Sequence, residues 1–392
     1  MEVEKQVAEF KKVIESCHLN FLFGSGASRP FLDTLNNLET NFTFINESSA
    51  PSIVQNIDLL KASIFIEYLN KCLFGNLFFN VDEITGYQKA CIDNKNGKAD
   101  EFVIVRETYN TFINNINTLL SSRDMQLLSK QVNIFTTNVD VFLEESLETN
   151  DCSFNDGFSG RKSLIFDTSN FHNTIHKLST HYEYKSEVPH VNLFKIHGSL
   201  NWVKGSKRSD TEYNIFADYP LELLASLYEV YSKNPKDFIE YNVISDGIKD
   251  LNYKFLDNVT KTKIIDEFLE LYSKIVMVNP TKQKFEDTTR NVHYYEMLRL
   301  YANHLERENS VLYVLGFSFA DEHILKITQR VAKSNPTLLI YILCANHQQE
   351  SFNEKFRAYP NVKFLFPEDG YFTLEILNEY FKKVIDSIPS NT

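Results

Sequence analysis

Hydrophobic and polar positions along this chain fall into two alternating patterns. Short runs of β-branched and aromatic residues recur at 19–23 ("LNFLF"), 132–136 ("VNIFT"), 192–196 ("NLFKI"), 274–278 ("KIVMV"), 310–316 ("SVLYVLG"), 337–344 ("TLLIYILC") and 362–366 ("VKFLF"). These runs are nearly continuous in apolar residues, as strands buried on both faces must be. Between the last four lie helical patterns, "NVHYYEMLRLYANHLERE", "DEHILKITQRVAK" and "HQQESFNEKFRAY". Strand, helix, strand in series predicts a parallel sheet with right-handed crossovers. The fold class expected is therefore α/β: a Rossmann-like, doubly wound, mainly parallel sheet. Two long segments, 31–131 and 205–272, interrupt the series without repeats or a Pro/Gly-rich linker. They read as helical insertions into one unit spanning 1–392, whose core is 1–30, 132–204 and 273–392.

Composition narrows the setting. At 392 residues and 43% hydrophobic, the chain is long enough to bury a large core. Lysine and arginine number 40 against 52 acidic residues, a net charge of −12. That balance does not indicate charge-driven nucleic-acid binding, although a local basic groove stays open. The charged, amphipathic start "MEVEKQVAEFKKVIES" does not read as a signal peptide. The strongest apolar runs fall well short of the roughly 20 residues a membrane-spanning helix needs. Five scattered cysteines, an odd number, fit a reduced cytoplasmic protein and not a disulfide framework.

Candidate chemistry gathers where strands end. In open α/β sheets ligands sit outside the carboxyl ends of the strands. "FLFGSGASRP" places Gly24, Ser25, Gly26, Ala27 and Ser28 directly after the first apolar run. Small residues there let backbone N–H groups approach a pyrophosphate, but the loop lacks the third glycine of the dinucleotide fingerprint, and Pro30 delays any helix. "NIFTTNVDVF" puts Thr136, Thr137, Asn138 and Asp140 after the second. Helix capping accounts for one such residue, not for four. "NLFKIHGSLNW" ends a strand on His197 and Gly198, with the chain's only tryptophan, Trp202, close behind. Trp202 reads mainly as core packing, with a second possible use as a wall beside His197. "VLGFSFADEHI" contributes Gly316 and Ser318, with Asp321 near the next helix start, and "ILCANHQ" contributes Asn346. Two lures are set aside. "GFSGRKS" at 157–163 fails the Walker spacing, and His172, His176 and His181 lack the partners of a zinc motif.

Taken in this order, the strand ends resemble the sirtuins. G-S-G-A-S at 24–28, T-T-N-V-D at 136–140, H-G at 197–198, G-F-S at 316–318 and Asn346 follow that family's sequence of motifs, with Thr137 where the family carries glutamine. The resemblance runs from about residue 15 to the C-terminus. The family's four-cysteine zinc module is missing, since Cys344 is the one cysteine after His197, and so is the P-D-F-R stretch. No zinc is expected, and acyl-lysine recognition is disfavoured.

What the resemblance implies is NAD as substrate, closest to the prokaryotic sirtuin-like NAD hydrolases of antiphage defence that pair with a HerA-type ATPase. On that basis Asn138 is expected to position the water or the ribose, His197 to act as general base on a ribose hydroxyl, and Asp140 to orient the ribose or its neighbours. The glycine loop would take the pyrophosphate, Gly316, Ser318 and Asn346 would line the adenosine side, and Thr137 would also be among the cofactor-binding residues. Homo-oligomerisation is expected by the same resemblance. The competing readings are an NAD- or ADP-ribose-binding subunit of a defence complex with another activity, such as a nuclease, and an NAD-dependent protein deacylase.

Overall fold

The computed structural model describes residues 2–388 except 36, 81–83, 95–96, 124–127, 181–184, 208–212, 220, 258, 280–291 and 368–369. In chain order its strands are β1 (His18–Phe23), β2 (Gln131–Thr136), β3 (Phe154–Asn155), β4 (Phe158–Ser159), β5 (Ile165–Phe166), β6 (His176–Leu178), β7 (Lys185–Glu187), β8 (His190–Lys195), β9 (Gly198–Lys207), β10 (Tyr213–Ala217), β11 (Ile275–Met277), β12 (Ser310–Leu315), β13 (Leu339–Leu343) and β14 (Val362–Leu365). Seven of them form one sheet in the order β14-β13-β12-β1-β2-β8-β3. Every pairing in that sheet is parallel.

Alternation along the central strands shows why the runs are apolar throughout. Leu19, Phe21 and Phe23 of β1 enter one core, with Tyr313 of β12 and Tyr341 of β13, while Leu22 enters the other with Leu312 and Ile340. Helices Glu2–Ser16, Lys98–Ser121 and Leu374–Asp386 cover the first face. Helices Val292–Glu306, Glu322–Ser334 and Gln349–Phe356 cover the second. This is the layered arrangement of a Rossmann-like, doubly wound fold. From β1 the chain steps one way to β2 and β8, then returns to the other side of β1 for β12, β13 and β14. The switch point therefore lies between β1 and β12.

Two sequence expectations change. The run 274–278 is a strand, but β11 pairs antiparallel with β9 in a separate five-stranded sheet, β11-β9-β10-β5-β4, and takes no place in the parallel one. An apolar run specifies burial and leaves the hydrogen-bonding partner open. Likewise the segment 205–272 is not wholly helical: it opens with the end of β9 and with β10 before its helices begin. The segment 31–131 does hold helices and turns; its last residue, Gln131, begins β2, and no other of its described residues lies in a strand. Helices Leu38–Glu47 and Ile57–Tyr68 from it pack with Glu222–Lys233 and Lys263–Tyr272 into a third core that also takes Val139, Val141 and Leu200. Among the described residues, no helix is long and apolar enough to cross a membrane.

Candidate functional site

The switch point is closed by backbone packed on backbone. The N–H of Gly24 donates to the carbonyl of Leu315 at 3.0 Å, and that of Gly26 to the carbonyl of Gly316 at 3.0 Å. Gly316 has φ +65, and a Cβ there would stand 2.4 Å from the Ala27 nitrogen. Both glycine segments are thus required by their approach to each other. Their loop ends in one 3₁₀ turn, Ser25–Ser28, and the next α-helix begins only at Leu38. The α-helix start that cradles pyrophosphate in the standard fingerprint is replaced here by that short turn.

Above this junction lies a cleft of about 1040 Å³. Ser25, Gly26, Ala27, Ser28, Thr137, Asn138, Asp140, His197, Gly316 and Ser318 all line it. Gly24 and Asn346 do not: Gly24 is buried behind the loop, and Asn346 is exposed at the start of a 3₁₀ turn after β13, beside the lining residues Ala345 and His347.

The polar run after β2 has its own geometry. Thr136 donates its hydroxyl to the carbonyl of Phe23 at 3.3 Å and accepts the Asn138 N–H at 3.0 Å. Thr137 donates its backbone N–H to the same carbonyl at 3.1 Å. The helix that follows starts at Phe142, with Val141 at its N-cap and no side-chain cap. Capping therefore leaves Thr136, Thr137 and Asn138 unexplained, and only Asp140 reaches a helical N–H. Instead they splice the ends of β1 and β2 together and turn Asn138 and Asp140 toward Ser28.

Ser28 is the hub. Its hydroxyl donates to Asp140 Oδ2 at 2.8 Å, accepts from Asn138 Nδ2 at 3.4 Å and, its one hydrogen being given away, accepts from the Tyr109 hydroxyl at 3.0 Å. Asp140 Oδ1 receives the Phe142 N–H at 3.4 Å. Burial raises the Asp140 pKa above the ordinary carboxylate range, opposed first by the Lys195 charge and then by the Ser28 hydroxyl. Asn138 is held by its Nδ2, while its buried Oδ1 has no hydrogen-bond partner among the described residues.

Below Asp140 sits a buried ion pair that the strand reading passed over. Lys195 lies in the apolar run of β8, 1% exposed, with Nζ 3.1 Å from Glu144 Oε1, itself 3% exposed. Lys195 also donates to the Asp140 backbone carbonyl, and Ser199 Oγ donates to Glu144 Oε1 at 3.1 Å. Burial raises the Glu144 pKa, and the Lys195 charge opposes the shift. The signal in the sequence is a lysine inside "NLFKI": a cation in a strand buried on both faces needs a counter-charge.

His197 occupies the corner where the chain leaves the parallel sheet. Its carbonyl accepts the Val278 N–H at 2.8 Å, and Gly198 follows with φ +79, where a Cβ would meet the Val276 carbonyl oxygen at 2.1 Å. The glycine permits β9 to swing into the second sheet, and the imidazole is left lining the cleft. Trp202 does not wall this pocket. It is buried against Phe158 and Phe166, at ring distances of 5.8 Å and 4.6 Å, and is absent from the lining. Of the three histidines set aside, His172 and His176 are exposed, and His181 lies outside the described residues.

The charges around the cleft are uneven. Arg29 is the one lysine or arginine among the described lining residues, against Asp33, Glu39, Asp140, Asp321 and Glu375. Cys72 and Cys344 also line it, but burial pushes each thiol up to about 12, which removes them as nucleophiles near neutrality. No protein-family model matches this chain, and no curated protein matches it.

Proposed function

We propose that the chain cleaves the nicotinamide–ribose bond of NAD by water, releasing nicotinamide and ADP-ribose. The observation that carries this reading is convergence. Four strand ends, far apart in sequence, bring Ser28, Asn138, Asp140, His197 and Ser318 onto one cleft at the sheet's switch point. Their order along the chain is the one that resembles the sirtuins. At about 1040 Å³ the cleft is at the upper end of small-molecule sites, as an extended dinucleotide requires.

The chemistry suits the lining. Departure of neutral nicotinamide builds positive, oxocarbenium-like charge on the ribose, and an acidic surround favours that charge over the ground state. Asn138, fixed through its Nδ2, offers Oδ1 as an acceptor to the attacking water or a ribose hydroxyl. His197 serves as general base on a ribose hydroxyl, the proton-acceptor role that a neutral imidazole nitrogen most often takes. Asp140 works at one remove, orienting Ser28 and through it Asn138. Arg29 is the available counter-charge for a pyrophosphate at the glycine turn. The same resemblance supports a role in antiphage defence by NAD depletion, with a HerA-type ATPase as partner and a homo-oligomer as the working form.

The test is nicotinamide release by the purified chain, alone and with such an ATPase, beside Asn138→Ala and His197→Ala. Turnover in the wild type that falls at least 100-fold in both variants is expected. NAD or ADP-ribose binding without turnover under either condition would replace this reading with a ligand-sensing subunit.

A further inference from the structure

One cluster beside the cleft is only partly used by this scheme, which gives His197 a role and His323 none. His197 stands at the corner after β8, while Asp321 and His323 open the helix Glu322–Ser334 across the cleft. One nitrogen of each imidazole and one carboxylate oxygen of Asp321 all lie within 4.8 Å of one another. The two rings are 6.0 Å apart between centroids. Both histidines are buried, at 5% and 8% exposure, and Asp321 is half-buried and lines the cleft.

We propose that His197, Asp321 and His323 form a three-ligand site for a divalent transition-metal ion of the zinc class, with its open coordination position toward the cleft. Two imidazoles and one carboxylate are a donor set that takes zinc, cobalt, nickel or ferrous iron in preference to magnesium or calcium, which favour all-oxygen shells. Metal–nitrogen bonds of about 2.0–2.1 Å in a tetrahedron place ligand atoms roughly 3.3 Å apart. The present spread of up to 4.8 Å is wider than that, so binding would draw the three side chains together around the ion. The positive end of the helix opposes a cation weakly, and the Asp321 carboxylate offsets it. Three protein ligands and one free position facing a substrate cleft is the arrangement of an exchangeable site, distinct from the closed four-cysteine module that this sequence lacks.

A second consequence rests on the NAD reading above. A nitrogen bound to metal cannot take a proton from a ribose hydroxyl, so the ion withdraws His197 and holds the enzyme off. Metal occupancy and turnover are then mutually exclusive.

The experiment uses the full chain, stripped with chelator and titrated with Co²⁺ in the absence of NAD. The expected result is the intense visible absorption of low-coordinate cobalt, displaced by Zn²⁺ and unaffected by excess Mg²⁺. Asp321→Asn and His323→Gln should each weaken Co²⁺ binding at least tenfold. Asp321 is only half-buried, so its variant should fold even where the buried histidine variant does not. A spectrum that stays that of hydrated cobalt, or folded variants that bind as tightly as wild type, would overturn the site. Nicotinamide release is then followed against Zn²⁺. Inhibition with the binding midpoint supports the withdrawal of His197, and unchanged turnover at full occupancy overturns that step alone. A chain with no turnover at any metal level would count against the NAD reading and leave the cobalt result standing.

Discussion

Replacing Lys195 by Met tests whether the floor under Asp140 is electrostatic. Lys195 Nζ lies 3.1 Å from Glu144 Oε1, with both groups almost fully buried. With an effective dielectric of about 20, two unit charges at that separation attract by roughly 5 kcal/mol. Most of that gain offsets the desolvation of the two ions, so the intact pair adds little net stability. Removing one partner is different, because the other stays buried without compensation; the expected loss is about 3–5 kcal/mol. Glu144 limits the loss by taking a proton. Burial already raises its pKa even beside Lys195, and removing the lysine raises it further. In the variant the folded state therefore holds a proton on Glu144 that the unfolded state has released. Its stability consequently falls as pH rises, by about 1.4 kcal/mol per unit between the unfolded pKa and the new folded one. Urea denaturation followed by the single buried tryptophan, Trp202, at about pH 6 and about pH 8 measures this directly. Glu144→Gln added to Lys195→Met should abolish the slope and recover most of the stability. A single variant within about 1 kcal/mol of wild type at both pH values, or a double variant no more stable than the single, would refute the reasoning.

Three further outcomes follow from the same geometry. Ser28→Ala removes the acceptor of both Tyr109 and Asn138 and a donor to Asp140, so it should cost about 1–3 kcal/mol in urea denaturation and lower nicotinamide release while leaving His197 in place. His304, whose Nδ1 lies 3.1 Å from the Asn133 amide nitrogen, is lowered to about 4, chiefly by burial and then by Arg307. The unfolded chain therefore binds this proton first as pH falls. Stability should drop by roughly 3 kcal/mol between about pH 6.5 and about pH 4, and His304→Gln should flatten that part of the pH–stability profile. Gly316→Ala places a Cβ 2.4 Å from the Ala27 nitrogen at a left-handed φ, which should cost at least about 2 kcal/mol in thermal or urea unfolding; a smaller loss would mean that the two glycine loops can separate.

The parts of the fold legible in the sequence are those where one physical cause has one outcome. A strand buried on both faces must be apolar throughout, so β1, β2, β8, β12, β13 and β14 stood out as runs. The second sheet did not. β4 and β5 are two residues each, too short to show a period, and β11 has the same apolar character as the parallel strands but a different partner. The site divides the same way. Topology carries the ends of β1, β2, β8 and β12 to one edge, so polar residues placed there converge whatever their roles.

Roles were less legible than positions, and Asp140 shows why. The sirtuin resemblance implies a carboxylate that orients the ribose or its neighbours, and the structure sets Oδ2 on Ser28 and Oδ1 on the Phe142 N–H. Both carboxylate oxygens are engaged by the protein, and the Asp140 backbone carbonyl is engaged by Lys195. Such a residue acts by fixing its neighbours. The same logic applies to Gly24 and Gly26: their N–H groups are directed at Leu315 and Gly316, so their contribution is to hold the switch point closed. The side chains that line the cleft and carry its chemistry are then fewer than the motif suggests. Asn138 carries the buried acceptor and His197 the imidazole, with Arg29 and Asp321 supplying charge of opposite sign on the same cleft. A motif records which residues must be present; the hydrogen bonds show that Asp140, Gly24 and Gly26 are engaged by the protein itself, whereas Asn138 keeps an unpartnered acceptor.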